Sequence, residues 1–275
     1  MTDLLTAHAA AQPDKLAVID DRLGTDVRIC TYAELEARAN QLTHVLALLG
    51  VTSANKIVWC GQNSVGLIEM VNAARKIGAT AVPLNYRLSD EEAAYVVDHS
   101  DATVVYVDAE FAPLFHRIRD RIPKVDHILV FDGTAPAGMT PVDDLVADAR
   151  TDPFERPEDP GTDESTTMIY TSGTTGKPKG AVRRTTRDPA QSAALLAHIG
   201  YTADDVYLTT GPLYHSGPGG FMGIALSMGQ TIVIQRKFDP DDWLRLLSTY
   251  RATSTFSAPT PIRMILDTPE DVFET

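Results

Sequence analysis

Eleven consecutive residues, Tyr170-Thr-Ser-Gly-Thr-Thr-Gly-Lys-Pro-Lys-Gly180, combine three glycines, four aliphatic hydroxyls and two lysines. Glycine backbone can take positive φ and approach a ligand with no Cβ in the way. Such a turn aims successive N–H groups at a single anion. Thr171, Ser172, Thr174 and Thr175 add hydroxyls that can also ligate Mg²⁺, and Lys177 and Lys179 bring positive charge to where phosphates are most negative. The chemistry this spacing suits is a grip on a nucleotide polyphosphate, with Gly173 and Gly176 giving the turn its close approach. It is not a Walker loop, which needs Gly-Lys-Ser/Thr opening a helix, because Pro178 follows Lys177. No Gly-x-Gly-x-x-Gly occurs in it, so it is not a dinucleotide fingerprint. A Gly/Thr/Lys surface linker would have a similar composition, but 166–170 (Thr-Thr-Met-Ile-Tyr) reads as a strand, and linkers seldom emerge from a core strand.

A second group is Pro212-Leu-Tyr-His215, followed by Ser216-Gly-Pro-Gly-Gly220. His8, His44, His99, His116, His127 and His198 show neither metal-ligand nor triad spacing. His215 differs: it is read as closing a strand beside glycines, where pockets usually form. Tyr214, His215, Gly219 and Gly220 are the candidate lining. Phe221, Met222 and Ile224 fit pocket walls or an ordinary buried helix face equally well.

Bulk properties narrow the function. A net charge of −13 over 275 residues argues against general nucleic-acid binding, which needs an excess of Lys and Arg. Basic charge is instead concentrated at Lys177, Lys179, Arg183, Arg184 and Arg187, with no acid among them, as an anionic ligand held at one place would require. Cys30 and Cys60 are too far apart for a metal or redox motif and are expected to be buried thiols. No basic segment precedes an apolar stretch at the N-terminus, and no apolar run approaches the ~20 residues of a membrane span. The expectation is a cytoplasmic protein without an integral membrane segment.

The elements that must position these groups alternate. Thr31 and Glu34 form a capping box ahead of an apolar stripe through Leu35, Ala39, Leu42, Leu46 and Leu49, and Gly50 ends that helix. Strands are expected at 57–60, 79–84, 102–107 and 127–131. Between them come a helix stopped by Gly78 and helices at 90–99 and 111–121. The proline-rich, acidic stretch 132–165 reads as a surface excursion. After the loop come helices at 189–199, 220–228 and 241–250 and strands at 205–210, 231–235 and 253–257, with Asp204 and Asp239 as caps. This rhythm defines an α/β fold of parallel-rich sheets flanked by helices.

The run from Tyr170 to Gly180 resembles the phosphate-loop signature of the AMP-forming adenylating superfamily, which includes acyl-CoA synthetases, adenylation domains of peptide synthetases and luciferases. The segments 31–35 (Thr-Tyr-Ala-Glu-Leu) and 73–84 (Ala-Ala-Arg-Lys-Ile-Gly-Ala-Thr-Ala-Val-Pro-Leu) are similar to two of its structural motifs. Pro212-Leu-Tyr-His215 resembles the motif beside the acyl pocket of acyl- and aryl-CoA synthetases, and 236–240 and 253–259 are similar to later segments of the same half.

The resemblance implies attack of a carboxylate on ATP, release of pyrophosphate, and transfer of the acyl group to coenzyme A. It makes Thr171 the expected Mg²⁺ ligand. Adenylation domains for amino acids place an aspartate near His215 to pair with the substrate ammonium, whereas no acid lies from Gly211 to Gln235. A buried ammonium there would lack a partner, so a carboxylic acid without that amine is expected, a fatty acid first. The alternatives are an adenylation domain for amino or aryl acids feeding a carrier protein, and a non-catalytic nucleotide-binding remnant. Many relatives carry a Thr-His pair in the segment where Ala181-Val-Arg-Arg-Thr-Thr-Arg187 stands, which leaves Arg183 and Arg184 without an assigned role.

The family's downstream adenine, ribose and catalytic-lysine motifs do not occur in the sequence. The expectation is therefore a truncated N-terminal domain without its C-terminal domain, inactive alone and with no catalytic residue of its own; the candidate protein partner is a second copy, in a homodimer. Within it, about 56–197 form one α/β subdomain with the phosphate loop, and 1–55 plus 198–275 form a second, incomplete one.

Overall fold

The computed structural model describes residues 3–156, 166–171, 178–184 and 198–269. The chain divides into two compact units, one comprising Met1–Glu36, Gln62–Val65 and Arg187–Thr275 and the other Ala37–Gly61 and Gly66–Thr186.

The first unit is built on a five-stranded sheet in the order β12-β10-β11-β1-β2. After helix α1 (Leu4–Ala11), capped by the Asp3 carboxylate, β1 (Leu16–Arg22) and β2 (Asp26–Thr31) form an antiparallel hairpin. Neither these two strands nor α1 is among the elements that the sequence pattern predicts. Strand β1 also pairs in parallel with β11 (Thr231–Ile234), which is parallel to β10 (Val206–Thr209), itself parallel to β12 (Ser254–Phe256). Ile19, Leu208, Val233, Trp243 and Leu246 pack together on this sheet. Burying side chains of this size is worth about 1.5–3 kcal/mol each.

The capping box at the start of α2 (Tyr32–Leu48) is present in both directions. Thr31 N donates to Glu34 Oε2 at 2.8 Å, and Glu34 N donates to Thr31 Oγ1 at 3.2 Å.

The second unit carries seven strands: β3 (Lys56–Cys60), β4 (Thr80–Leu84), β5 (Val104–Asp108), β6 (His127–Phe131), β7 (Thr140–Pro141), β8 (Thr166–Thr171) and β9 (Lys179–Arg184). Their order is β7-β6-β5-β3-β4-β8-β9, and every pairing is parallel except β8 with β9. Helices α3 (Val65–Ile77), α4 (Asp90–His99), α5 (Ala112–Arg117) and α6 (Val142–Val146) complete it. All five residues of β5 are buried, as expected for a parallel strand covered on both faces. Helix α3 stops at Gly78, whose φ of +86° lies in the left-handed region that a C-terminal glycine supplies.

Several expectations need correction. Cys60 is fully buried, but Cys30 is only half-buried on edge strand β2. The excursion at 132–165 contains β7 and α6. Asp239 caps α8 (Pro240–Tyr250), but it is Asp205, not Asp204, that closes its turn, accepting from Thr202 N at 2.7 Å. The helix expected from 220 begins at Ser216 as α7 (Ser216–Ser227); its first turn is closed by the Gly219 N–H on the His215 carbonyl at 3.0 Å and holds Pro218, whose missing N–H costs nothing there. A last helix, α9 (Pro259–Leu266), follows β12. Most of the helix expected at 189–199 lies outside the described residues. Among the described residues no helix is long and apolar enough to cross a membrane.

Candidate functional site

The phosphate-loop sequence joins the facing ends of β8 and β9. The two strands run in register from Thr166↔Arg184 to Thr171↔Lys179, so Thr171 and Lys179 stand opposite each other where the loop departs. Both are exposed. Ser172, Gly173, Thr174, Thr175, Gly176 and Lys177 lie outside the described residues.

Helix α4 anchors the arms of this hairpin. Nδ1 of His99 lies 2.8 Å from the Tyr170 hydroxyl, and the Tyr95 hydroxyl donates to the Pro178 carbonyl at 3.3 Å. The rings of Tyr95 and His99, and of His99 and Tyr170, have centroids 5.1 and 5.8 Å apart. Burial pushes the Tyr170 phenol well above its usual range, and the neighbouring Tyr95 and Asp101 push the same way, so it stays a neutral hydrogen-bonding group. A Cβ on Gly180 would run into the Met168 and Tyr170 side chains. The glycine that ends the motif is thus used by the packing of the hairpin. His99 lacks metal or triad spacing, and the contact it makes with Tyr170 has no spacing signal in the sequence.

In the first unit the second candidate group forms a turn between β10 and α7. His215 does not close a strand: β10 ends at Thr209, and His215 is the residue that precedes α7. Its N–H donates to Pro212 O at 3.0 Å and its carbonyl accepts from Gly219 N at 3.0 Å. Tyr214 is buried and His215 exposed, with ring centroids 4.5 Å apart. A Cβ on Gly219 would stand 2.5 Å from the Leu213 carbonyl oxygen, whereas one on Gly220 would meet nothing within 4 Å. Gly219 therefore lets α7 close onto its own turn, and Gly220 leaves open space. Met222 is buried, and Phe221 stacks on Phe256 with centroids 4.5 Å apart.

The turn is gripped by Asn63, a residue the sequence did not single out. Its Nδ2 donates to the carbonyls of Gly211 and Gln235, both at 3.0 Å, and its Oδ1 accepts from Leu213 N at 2.9 Å. A single asparagine between a strand and a helix reads as an ordinary turn residue, so only tertiary structure reveals this role.

Among the described residues no group of three His, Cys, Asp or Glu could hold a metal ion. The exposed Thr171 hydroxyl offers one oxygen. A single protein oxygen suits Mg²⁺, which keeps several waters and takes most of its remaining ligands from phosphates.

The fold is α/β with parallel-rich sheets, a Gly/Thr/Lys sequence links β8 to β9, and an aromatic–His turn precedes α7. The chain belongs to the AMP-binding enzyme family, whose model matches residues 5–274. It is 28% identical over 270 residues to an indoleacetate–CoA ligase of Aromatoleum aromaticum, an alignment covering 98% of this chain and 51% of the relative. A long-chain-fatty-acid–CoA ligase of Thermus thermophilus is 30% identical over 256 residues, covering 92% of this chain and 46% of the relative. The inhibitor-bound N-terminal domain of FACL13 from Mycobacterium tuberculosis superimposes with a TM-score of 0.85 at 27% identity, covering 99% of this chain and 65% of that one. The chain spans about half the length of the curated relatives it matches.

Proposed function

We propose that the whole protein joins a carboxylic acid to coenzyme A by way of an acyl-adenylate, and that this chain supplies the phosphate loop and the acid-side turn. The observation that carries the reading is the run from Tyr170 to Gly180 set at the paired ends of β8 and β9, in a chain matched by the AMP-binding enzyme family over 5–274. A carboxylate oxygen attacks the α-phosphorus of ATP, the bond to the bridging oxygen breaks, and pyrophosphate departs. The thiol of coenzyme A then attacks the acyl carbonyl, AMP leaves, and the thiol proton passes to solvent. The loop residues Thr171, Ser172, Gly173, Thr174, Thr175, Gly176, Lys177 and Lys179 hold the departing phosphates, an orienting and electrostatic task. Mg²⁺, held from the protein side by Thr171, supplies further positive charge to those phosphates when bound.

The acid lies against Tyr214, His215, Gly219 and Gly220. No acidic residue occurs from Gly211 to Gln235, which favours an acid without an α-ammonium. The two curated relatives are named for an arylacetic and a long-chain fatty acid, and a fatty acid is the first candidate. The chain corresponds to the N-terminal part of such an enzyme, which works in the cytoplasm.

ATP–pyrophosphate exchange by the whole protein, run across fatty, arylacetic and amino acids, tests the reading. Lys177→Ala combined with Thr174→Val should lower exchange by ~10²-fold or more. Unchanged exchange in the double variant, or dependence on amino acids alone, would overturn it.

A further inference from the structure

We propose that Asn63 is a positioning residue for the acid-side turn, a role that rests on the reading of 211–215 as that turn. Asn63 is 5% exposed and belongs to the four-residue segment Gln62–Val65 of the first unit. Its side chain donates to Gly211 O and Gln235 O and accepts from Leu213 N, and its own N–H donates to Arg236 O at 3.2 Å. The amide has one workable orientation, because turning it over would point Oδ1 at two carbonyls and Nδ2 at an N–H.

These partners are not scattered. Gly211 and Leu213 follow the carboxyl end of β10, and Gln235 and Arg236 follow that of β11, its parallel neighbour in the sheet. Ligands of open α/β sheets bind outside the carboxyl ends of such strands. Asn63 therefore fixes the separation of two strand ends at the place where a ligand is expected, and it does so through backbone groups that a side-chain substitution elsewhere cannot replace.

The grip reaches Tyr214 and His215 through one residue. The Leu213 N–H is held by Asn63 on one side, and the Leu213 carbonyl lies against Gly219 of α7 on the other. With its N–H bonded to Asn63 and its carbonyl packed close to Gly219, Leu213 sets where the next two residues leave the turn. His215 is then tied back to α7 by Gly219 N. Asn63 touches neither ring; it acts on both through Leu213.

Two variants and two readouts test this. In the 275-residue chain, Asn63→Ala should speed hydrogen exchange of the 211–216 amides by ~10-fold or more, the weight of a lost buried hydrogen bond. Exchange along β1 should be unchanged. Asn63→Asp keeps the acceptor for Leu213 but turns a carboxylate toward two carbonyls. Its excess exchange over the unsubstituted chain should shrink at pH 5 relative to pH 8, as protonation restores a donor. In the whole protein the KM for the acid should rise ~10-fold, with the KM for ATP changed less than about twofold.

Unaltered exchange at 211–216 in either variant, or equal rises in both KM values, would overturn the proposal. Should Asn63→Ala fail to fold, the pH dependence of Asn63→Asp decides. Should the unsubstituted whole protein activate no acid, the functional reading fails while the exchange measurements still decide whether Asn63 holds the turn.

Discussion

The Tyr170 hydroxyl lies 2.8 Å from Nδ1 of His99, so the last turn of α4 is fastened to the strand from which the phosphate loop departs. Tyr170→Phe and His99→Ala should each lower protection of the β8 amides against hydrogen exchange by the equivalent of about 1 kcal/mol. The double variant should cost no more than the larger single effect, because both remove one bond. Fully additive losses would mean that the pair is not coupled.

Gly219 and Gly220 are neighbours with opposite surroundings, the Leu213 carbonyl for one and open space for the other. Gly219→Ala should destabilise the first unit by about 1–3 kcal/mol, since the obstructing atom is backbone and cannot swing aside. Gly220→Ala lies within α7 and should be neutral or stabilising by up to ~1 kcal/mol. Urea unfolding followed by Trp243 fluorescence compares the two, and similar midpoints would refute the distinction.

The second unit was legible because its signals are local. Its central strands are largely apolar runs, α3 ends at Gly78 and α4 opens at the capping residue Ser89, so alternation alone defines the parallel sheet. The β1–β2 hairpin was not legible. Its apolar run ends in Asp20 and Asp21, which look like solvent-facing acids, yet both are buried. Their partners make that possible: Arg22 and the Val65 N–H for Asp20, and Arg245 and Tyr250 for Asp21. Val65, Arg245 and Tyr250 are distant in sequence. The same holds for Asn63 and His99. The glycines, hydroxyls and lysines of 171–180 stand out by composition alone, whereas residues that hold backbone in place are recognisable only once the chain has folded.

Asp21 accepts from Arg245 Nη1 at 2.9 Å, Arg245 Nη2 at 3.0 Å, the Tyr250 hydroxyl at 2.7 Å and Gly24 N at 2.6 Å. Burial alone would raise its pKa, but the bonds from Arg245, Tyr250 and Gly24 outweigh it and hold the carboxyl below 3.8. A depressed carboxylate contributes stability that is present above the unfolded value and lost as pH falls through the folded one. Asp21→Asn should therefore cost roughly 2 kcal/mol at pH 7. It should also remove the part of the acid-induced loss that falls below 3.8. Urea midpoints measured from pH 7 down to pH 2 check both, and an acid limb identical to that of the unsubstituted chain would contradict the assignment.

Glu69 on α3 gives the opposite sign. Burial pushes its carboxyl up to about 7; Arg38 partly offsets this, while Asp143 and Asp132 add to it. Arg38 Nε lies 3.3 Å from Glu69 Oε2 and Arg38 Nη2 lies 2.5 Å from Asp143 Oδ1, so one guanidinium serves two carboxylates. Tyr106, the other titratable group beside them, stays neutral because burial raises its phenol far above the usual range. A carboxyl whose folded pKa exceeds its unfolded value contributes stability that is complete below 4.5 and disappears as pH rises through about 7. Glu69→Gln removes that titration. Between pH 4.5 and pH 8 the unsubstituted chain should lose on the order of 2 kcal/mol relative to the variant, whatever constant offset the altered Arg38 contact adds. The comparison is made from the unfolding of the second unit, followed by Trp59 fluorescence in a Trp243→Phe background. Parallel stability curves across that range would show that Glu69 is ionised in the folded chain throughout, with Arg38 outweighing burial.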